Sequence, residues 1–318
     1  MIHLPKSVIK GFLLEAPKVL SSGHLAEGPI TEEVEDLISS KYNDFYYKVL
    51  PRGSKNEAIL LNSCGSGIFV VLNWLKDVHG KDILIAPSNN MYCTETIANL
   101  AGYKTIYTKC NDLTMDVEDL IKIFEMVDFP RAVTLFSQIG GSRFAIGDCR
   151  KMGIPLFEDC AHAFGTAQLE PTLAQVYSFY ATKPSSAGEG GCLVTSDKGL
   201  IEYARRFIKY DRDHMQMKTG LNLRISEIQA LLIKHVVKNI DYIIDRRLRA
   251  LHYYKDLCDK LGITYLDCDY KNHNGYKFII TDPRVVNNIN VNVTTGKVFG
   301  YSLSPMEVPF PTHRPWMA

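Results

Sequence analysis

The sequence predicts an α/β fold with a large mixed, mostly parallel sheet, followed by a smaller C-terminal part. Short apolar runs that are typical of buried strands alternate with helix-like stretches, and short connections join them. Several of these runs end in acidic, hydroxyl-bearing or glycine-rich residues. Because parallel sheets bind ligands at the carboxyl ends of their strands, these polar residues indicate where a functional site lies.

Composition argues against several classes of function. The 318 residues include 36 basic and 35 acidic side chains, so the formal net charge of +1 creates no field that favours nucleic acid or an anionic membrane. No apolar run is long enough to span a bilayer, and the N-terminus lacks a signal-peptide pattern. Eight scattered cysteines without a Cys-x-x-Cys pair indicate reduced thiols in a cytoplasmic protein. No cluster with metal-ligand spacing occurs among the histidines, so we expect no bound metal.

The first half of the chain shows the alternation most clearly. Residues 1–30 are expected to be irregular, and Thr31 is expected to cap a helix that runs to Ile38. The following strands and helices are predicted at 58–61, 68–75, 82–86, 94–100, 104–107, 117–126 and 131–136. Later apolar runs end at Asp159 and Ser178, and a glycine-rich turn leads into a last strand at Cys192.

The second half begins with a helix at 198–210 and then changes character. One long helix is predicted from Glu227 to Leu261, with Ser226 as its N-cap and Gly262 as its end. Its basic run at 246–249 has the pattern of a solvated helix face. Short strands and turns are predicted after Ile263. We therefore expect a large cofactor-binding domain at 1–235 and a small, shortened C-terminal domain at 236–318.

Lys183 and Asp159 are the residues with the most reactive potential. A lysine is by default a solvated surface residue, but Lys183 follows an apolar strand and precedes a glycine-rich turn, and a lysine held among apolar groups is a usable Schiff-base nucleophile. Asp159 is either a turn residue at the end of a strand or the carboxylate that keeps a pyridine nitrogen protonated. Glu158 and Asp159 point to opposite sides of an extended strand, and spacing alone does not decide which one faces a site.

Three further segments have both a structural and a functional interpretation. Gly65-Ser66-Gly67, between a strand and a helix, is either a tight turn or a cradle in which backbone N–H groups hold a phosphate. Ser178 is either an ordinary strand serine or a donor to the same phosphate. His162 is either a core histidine or a ligand of a cofactor's phenolic oxygen.

Taken together, these segments resemble the sugar aminotransferases of the DegT/DnrJ/EryC1/StrS family, in collinear order from about Gly23 to Tyr254. The motifs that carry the resemblance are Gly23–Pro29, Ser63–Gly67, Glu158–Gly165, Ser178–Lys183 with Gly188–Gly191, and Gly220–Ala230. The resemblance implies the aspartate-aminotransferase-like (type I) fold and pyridoxal 5′-phosphate as cofactor.

The resemblance also implies a role for each matching residue. Lys183 would form the Schiff base with the cofactor (the internal aldimine) and move the proton, and Asp159 would pair with the pyridinium nitrogen. His162 would lie near the phenolic oxygen. The residues expected to hold the phosphate are Gly65, Ser66, Ser178 and, from a neighbouring subunit, Asn222. Because Asn222 would come from a neighbouring subunit, the resemblance also implies a homodimer with shared active sites.

The implied reaction transfers an amino group from an amino acid, usually glutamate, to a keto group of a nucleotide-linked sugar in polysaccharide biosynthesis, through pyridoxamine phosphate. Met91 aligns with the aromatic residue that stacks on the cofactor ring in the family, and Tyr92 would take that place only in a register shifted by one. Residues 263–318 match the family poorly. Two alternatives stay open: another pyridoxal phosphate reaction, such as an elimination or transamination of a non-sugar acceptor, and a non-catalytic descendant.

Overall fold

A seven-stranded sheet forms the centre of the protein. The structure is a computed structural model that describes residues 4–46, 54–111, 113–144, 146, 153, 155–167, 172–210 and 220–286. The strands of this sheet and of a small separate hairpin are β1 (Glu57–Leu61), β2 (Ile83–Pro87), β3 (Lys104–Thr108), β4 (Cys110–Asn111), β5 (Thr114–Met115), β6 (Ala132–Ser137), β7 (Leu156–Asp159), β8 (Gln175–Ser178) and β9 (Gly191–Thr195).

The large sheet has the order β1-β9-β8-β7-β6-β2-β3, and β4 pairs with β5 in the hairpin. β9 is antiparallel to both of its neighbours, whereas the pairs β8–β7, β7–β6, β6–β2 and β2–β3 are parallel. The mixed, mostly parallel sheet that the sequence predicts is therefore confirmed.

Helices cover both faces of the sheet. They are α1 (Lys6–Ser21), α2 (Pro29–Tyr46), α3 (Cys64–His79), α4 (Tyr92–Leu100), α5 (Val117–Met126), α6 (Lys198–Lys209), α7 (Glu227–Lys238), α8 (Ile240–Leu261) and α9 (Pro283–Val286), with 3-10 turns at Phe129–Arg131 and Tyr270–Asn272. Side chains alternate along β1, as the two-residue period of a strand requires. Ile59 and Leu61 belong to a core shared with α3 and α6, whereas Ala58 and Leu60 belong to a core shared with α2 and α7.

Two helix predictions need correction. The N-terminal residues, expected to be irregular, include α1, whose buried residues Val8, Ala16 and Val19 face the rest of the protein. The helix expected from Glu227 to Leu261 is two helices, because Asn239 leaves helical geometry at φ −110° and ψ 8°. The Asn239 side chain stabilises this break by donating to the His235 carbonyl at 2.8 Å and accepting from the Ser7 hydroxyl at 2.8 Å.

The helix that begins at Pro29 receives its N-terminal cap from a distant residue. The buried carboxylate of Glu227, the first residue of α7, accepts from the N–H groups of Ile30 at 2.8 Å and Thr31 at 3.0 Å and from the Thr31 hydroxyl. Thr31, predicted to cap this helix itself, therefore lies within its first turn. A carboxylate at a helix N-terminus satisfies free N–H groups and complements the helix dipole.

The C-terminal region contains less regular structure than expected. Between Ile263 and Val286, isolated bridges join Tyr265 to Ile280 and His273 to Ser142 in place of the predicted strands. The division of the chain into domains at 235 remains a prediction. No helix in the described part of the chain has both the length and the apolar character that a membrane span requires.

Candidate functional site

The strand ends bring the predicted site residues together. β7 ends at Asp159 and its parallel neighbour β8 ends at Ser178, so both residues lie at the same edge of the sheet. Lys183 follows five residues after Ser178, in a turn where its N–H donates to the Tyr180 carbonyl at 2.9 Å. The β1–α3 turn reaches the same edge, because Ser63 forms a parallel bridge with Gly190.

The first turn of α3 has the construction of an anion site. Ser63 is the N-cap, and its hydroxyl oxygen accepts from the Ser66 N–H at 3.1 Å. The Ser66 hydroxyl donates to the Asn62 side-chain oxygen at 2.5 Å. Gly191 at the start of β9 lies so close to the Ser63 backbone that a Cβ at this position would overlap it. The turn is thus fixed against the sheet, and the N–H groups of Gly65 and its neighbours lie at the positive end of the helix dipole.

Asp159 is a buried carboxylate at the centre of this edge. Its side chain accepts from the Ala161 N–H at 2.9 Å, and the Cys64 sulfur lies 3.8 Å from the same oxygen, Oδ1. Only 7% of the residue is exposed. Burial raises the pKa of Asp159, although the Ala161 N–H and the nearby Lys183 ammonium favour the charged form. A cation brought next to this carboxylate would relieve that burial cost.

Glu158 faces the other side of the strand, where it has a structural environment. Its carboxylate pairs with Arg143 at 3.3 Å and accepts from Gln138 at 2.8 Å and Thr172 at 2.9 Å. The side chains of Glu158 and Arg143 are 0% and 1% exposed. The structure therefore places Asp159 at the site edge and Glu158 in the interior. Sequence spacing alone left this choice open.

Lys183 is buried and not solvated, with 7% of the residue exposed. Its Nζ lies 5.3 Å from the centre of the Tyr276 ring. Burial lowers the pKa of Lys183, and the Asp159 carboxylate opposes this shift. A lowered pKa increases the fraction of neutral amine, which is the nucleophilic form.

His162 lies beside the same tyrosine. Its Nδ1 accepts from the Gly140 N–H at 3.3 Å, and its ring meets the Tyr276 ring edge-on at 4.7 Å between centroids. Burial, and then the neighbouring Lys183, lower the pKa of His162 well below its ordinary value. The imidazole is therefore neutral at physiological pH, and with Nδ1 used as an acceptor its proton is placed on Nε2.

Tyr276 is a site residue that the sequence reasoning missed. The segment that carries it is held by backbone contacts, since the Asn274 and Lys277 N–H groups donate to the carbonyls of Gly141 and Gly140 at 2.9 Å. The Asn274 side chain also donates to the His162 carbonyl at 2.7 Å. The sequence signal is weak: Asn274-Gly275 is a turn dipeptide, and nothing in it indicates contact with a residue 93 positions earlier.

The two remaining predicted residues have different surroundings. Met91 immediately precedes α4 and lines a small cavity together with Asp159 and His162. Asn222 is exposed on this chain, and its side-chain oxygen accepts from the Arg224 N–H at 3.4 Å. The carbonyl of its neighbour Leu223 accepts from the Asn62 N–H at 2.9 Å, so this loop lies next to the β1–α3 turn.

These groups fit pyridoxal phosphate. The first turn of α3 suits a phosphate, the buried Asp159 carboxylate suits a protonated pyridine nitrogen, and the buried Lys183 amine suits the aldehyde carbon. No group of metal-binding side chains occurs among the residues that the structure describes.

Comparison with known proteins places the chain in a family. The model of the DegT/DnrJ/EryC1/StrS aminotransferase family matches residues 10–293, and the chain belongs to this family. The spore coat polysaccharide biosynthesis protein SpsC of Bacillus subtilis is 24% identical over 257 residues, which cover 73% of this chain and 62% of that protein. The UDP-2-acetamido-2-deoxy-3-oxo-D-glucuronate aminotransferase of Pseudomonas aeruginosa is 24% identical over 229 residues, which cover 68% of this chain and 60% of that protein.

A solved structure gives the same fold. Helicobacter pylori PseC, an aminotransferase involved in the biosynthesis of pseudoaminic acid, superposes with a TM-score of 0.74 at 21% identity, covering 90% of this chain and 78% of that chain. The chain spans about three fifths of the length of the Bacillus and Pseudomonas relatives. The predicted family and type I fold are confirmed, as is pyridoxal phosphate as the cofactor of this family.

Proposed function

We propose that this protein is a pyridoxal-phosphate-dependent aminotransferase that moves an amino group from an amino acid, preferentially glutamate, to a keto group of a nucleotide-linked sugar. The observation that carries the proposal is the meeting of a buried lysine, a buried aspartate and a helix N-terminus at one sheet edge. The name of the Pseudomonas relative, which describes an aminotransferase for a UDP-linked 3-oxo sugar, supports the choice of acceptor.

Each residue has a distinct task in this proposal. When bound, pyridoxal phosphate supplies an electron-withdrawing ring that stabilises negative charge at the carbon next to the amino nitrogen. Asp159 holds the ring nitrogen protonated, because a buried carboxylate is most stable beside a cation. Lys183 would hold the cofactor through Nζ, and its amine, once released, would accept and return the proton that moves during the transfer. His162 would orient the ring by donating from Nε2 to its phenolic oxygen.

In this proposal the N-terminus of α3 and the end of β8 bind the phosphate. Gly65 would supply its N–H, Ser66 would supply its hydroxyl in exchange for the bond to Asn62, and Ser178 would contribute a hydroxyl from the end of β8. Met91 would pack on the ring, because it lines the same cavity as Asp159 and His162. In our proposal Asn222 belongs to the phosphate site of a second copy of the chain, so the active protein is a homodimer in the cytoplasm.

The decisive experiment follows the visible absorbance of the lysine-bound cofactor. We expect purified protein to show this band, glutamate to bleach it, and a keto sugar linked to UDP or dTDP to restore it. Lys183→Ala should abolish the band, whereas Lys104→Ala, which removes an exposed lysine of β3, should leave it unchanged.

Each departure from this pattern has a defined meaning. A Lys183→Ala protein that keeps the lysine-bound band contradicts the assignment of Lys183. Bleaching by an amino acid without recovery on any keto sugar favours the alternative of a different acceptor. A protein that takes up no cofactor at all favours a non-catalytic descendant.

A further inference from the structure

The cavity that Met91, Asp159 and His162 line contains two polar side chains to which nothing above assigns a role. We call it the Met91 cavity. The two residues are Ser137, the last residue of β6, and Asn90, which directly precedes Met91. Ser137 lies opposite Asp159 in the pairing of β6 with β7. Neighbouring residues of paired strands point to the same face of a sheet, so the Ser137 hydroxyl and the Asp159 carboxylate share a face and an edge.

The Ser137 hydroxyl is buried without being satisfied. The residue is 2% exposed, and its Oγ has no hydrogen-bond partner among the residues that the structure describes. Buried hydroxyls are normally paired, because the protein has removed them from water and must replace the bonds that water made. A hydroxyl of this kind on the wall of a cavity indicates an acceptor that enters the cavity with a ligand.

The Asn90 side chain is held in one orientation. Its Oδ1 accepts from the Met91 N–H at 2.8 Å and from the Thr94 hydroxyl at 3.3 Å. A backbone N–H can only donate, so the atom that faces it must be the amide oxygen. The amide nitrogen Nδ2 is enclosed by protein and has no acceptor within the described part of the chain. Asn90 therefore presents a fixed donor that the protein itself does not use.

Gln138, another polar side chain of the lining, shows the contrast. Its amide nitrogen donates to Glu158 at 2.8 Å and to the Phe144 carbonyl at 3.2 Å, and its amide oxygen accepts from the Phe144 N–H at 2.8 Å. Gln138 therefore belongs to the interior network around Glu158. Ser137 and Asn90 have no such partners, so their donors are available to a ligand.

The order of the strands shows which part of the cofactor reaches these donors. Across the sheet edge the strands follow as β8, β7, β6 and β2. The residues at this edge, in the same order, are Ser178, Asp159, Ser137 and, three residues after β2, Asn90. In pyridoxal phosphate the phosphate arm and the methyl group lie on opposite sides of the ring, and the phenolic oxygen is attached next to the methyl group. With the phosphate towards β8 and the ring nitrogen at Asp159, the side that carries the phenolic oxygen faces β6 and β2.

We propose that Ser137 and Asn90 donate hydrogen bonds to the phenolic oxygen of the bound cofactor, beside His162. This inference rests on the proposed function, because it takes the orientation of the ring from Asp159 and the phosphate site. It adds two residues that set the acidity of the cofactor bound to Lys183. Three donors would fill the lone pairs of a phenolate oxygen, so this oxygen would hold the proton that it shares with the Lys183 nitrogen less tightly.

The test titrates the visible absorbance of the cofactor-loaded protein with pH, which measures the pKa of the proton shared with the Lys183 nitrogen. We expect Ser137→Ala to raise this pKa by about one pH unit, because a donor to a charged oxygen is lost. Asn90→Asp keeps the oxygen that accepts from the Met91 N–H and replaces the donor nitrogen with an anionic oxygen. We expect it to raise the pKa by about two pH units, because a like charge is added to the loss of a donor.

Two variants are matched controls. Thr134→Val removes a hydroxyl of the same strand that is also buried and without a partner among the described residues, but that points to the other face of the sheet. Asn99→Asp adds the same charge as Asn90→Asp at an exposed position near the end of α4. We expect both controls to titrate as the wild type does. Thermal unfolding of the four cofactor-free variants separates a loss of stability from an effect on the cofactor.

The outcomes distinguish this inference from the proposed function. If glutamate bleaches the lysine-bound band but Ser137→Ala and Asn90→Asp titrate with the wild type, the inference is wrong while the proposed function stands. If only one of these two variants shifts the pKa, or if the controls shift it equally, the donor pair is wrong. An unchanged titration with a raised KM for glutamate would assign the two donors to the amino donor and overturn the inference. A protein without the lysine-bound band contradicts both.

Discussion

Adjacent carboxylates on β7 allow a sharp test, because the structure gives them opposite roles. Glu158→Gln and Asp159→Asn each replace a carboxylate with an amide of nearly the same shape, one residue apart. We expect the first variant to lose stability and the second to lose cofactor function. The prediction follows from their partners: Glu158 lies against Arg143 in the interior, whereas Asp159 lies at the site edge.

The size of the Glu158 effect comes from its burial. The two side chains of the pair are 0% and 1% exposed, so Glu158→Gln leaves a guanidinium without its counter-charge in a place that water does not reach. Breaking a buried pair in this way costs about 3–5 kcal/mol. At 2–4 °C per kcal/mol, the melting temperature should fall by roughly 6 °C or more. A double variant, Arg143→Met with Glu158→Leu, should lose less than the sum of the two single changes, because no charge remains buried.

The Asp159 effect should have the opposite sign on stability. Burial raises the pKa of this carboxyl in the folded protein, so the folded state binds more protons than the unfolded state between the two pKa values. Ionised Asp159 therefore destabilises the fold as pH rises through that window, and Asp159→Asn removes the cost. We expect the cofactor-free variant to be as stable as the wild type at acidic pH and more stable at neutral pH.

Thermal unfolding of the cofactor-free proteins at pH 4 and pH 7 measures both effects, and visible absorbance of the loaded proteins measures cofactor function. The reasoning is wrong if Glu158→Gln melts with the wild type, or if Asp159→Asn is the less stable variant at neutral pH. It is also wrong if Asp159→Asn retains full transamination with glutamate.

Three further predictions concern other parts of the structure. Lys183→Met should raise the free energy of unfolding of the cofactor-free protein at pH 7 by about 1 kcal/mol. Burial lowers the pKa of this amine, so the charged amine destabilises the folded state at pH values below that pKa. Urea unfolding at pH 7 and pH 10 should show a smaller gain at the higher pH. Glu227→Ala should cost about 2 kcal/mol because it removes the cap of α2, whereas Glu32→Ala, in the first turn of the same helix, should cost under 1 kcal/mol, and equal chemical denaturation midpoints would contradict this. Mixing inactive Lys183→Ala and Asn222→Ala proteins should restore part of the activity if each site takes Asn222 from the other subunit, and no recovery after verified subunit exchange would argue against a shared site.

Local patterns were sufficient for the sheet and for most of the site edge. An apolar run followed by a polar residue predicts a strand end, and Asp159 and Ser178 lie at such ends because neighbouring parallel strands finish at the same edge. These strand ends depend on residues close in sequence, which is why they could be predicted. The glycine-rich turn before β9 was predicted as well, but the need for glycine at 191 comes from its approach to the distant Ser63 backbone and is visible only in the structure.

Features that depend on distant residues could not be predicted in the same way. The helix α1 contains Gly11 and Pro17, both poor helix formers, and packing against α7 outweighs them; Gly11 lies so close to His235 that a Cβ would overlap the imidazole. The break at Asn239 uses the Ser7 hydroxyl from this same helix. Neither residue of that hydrogen bond indicates the other in the sequence. The same is true of Glu158 and its partners Arg143 and Thr172.

The position of Tyr276 shows why the part of the candidate site opposite Lys183 is the least predictable from the sequence. Its segment is attached to the Gly140–Gly141 turn through backbone N–H and carbonyl groups, which any sequence possesses. The positions that this attachment restricts are Gly141, where a Cβ would crowd the Tyr276 backbone, and Gly275, where it would overlap Arg247. The side chain at 276 is not needed for the attachment. A segment attached in this way can change its side chains without changing its backbone, so the sequence pattern predicts the strand ends that carry Asp159 and Ser178 but not the side chain that lies opposite Lys183.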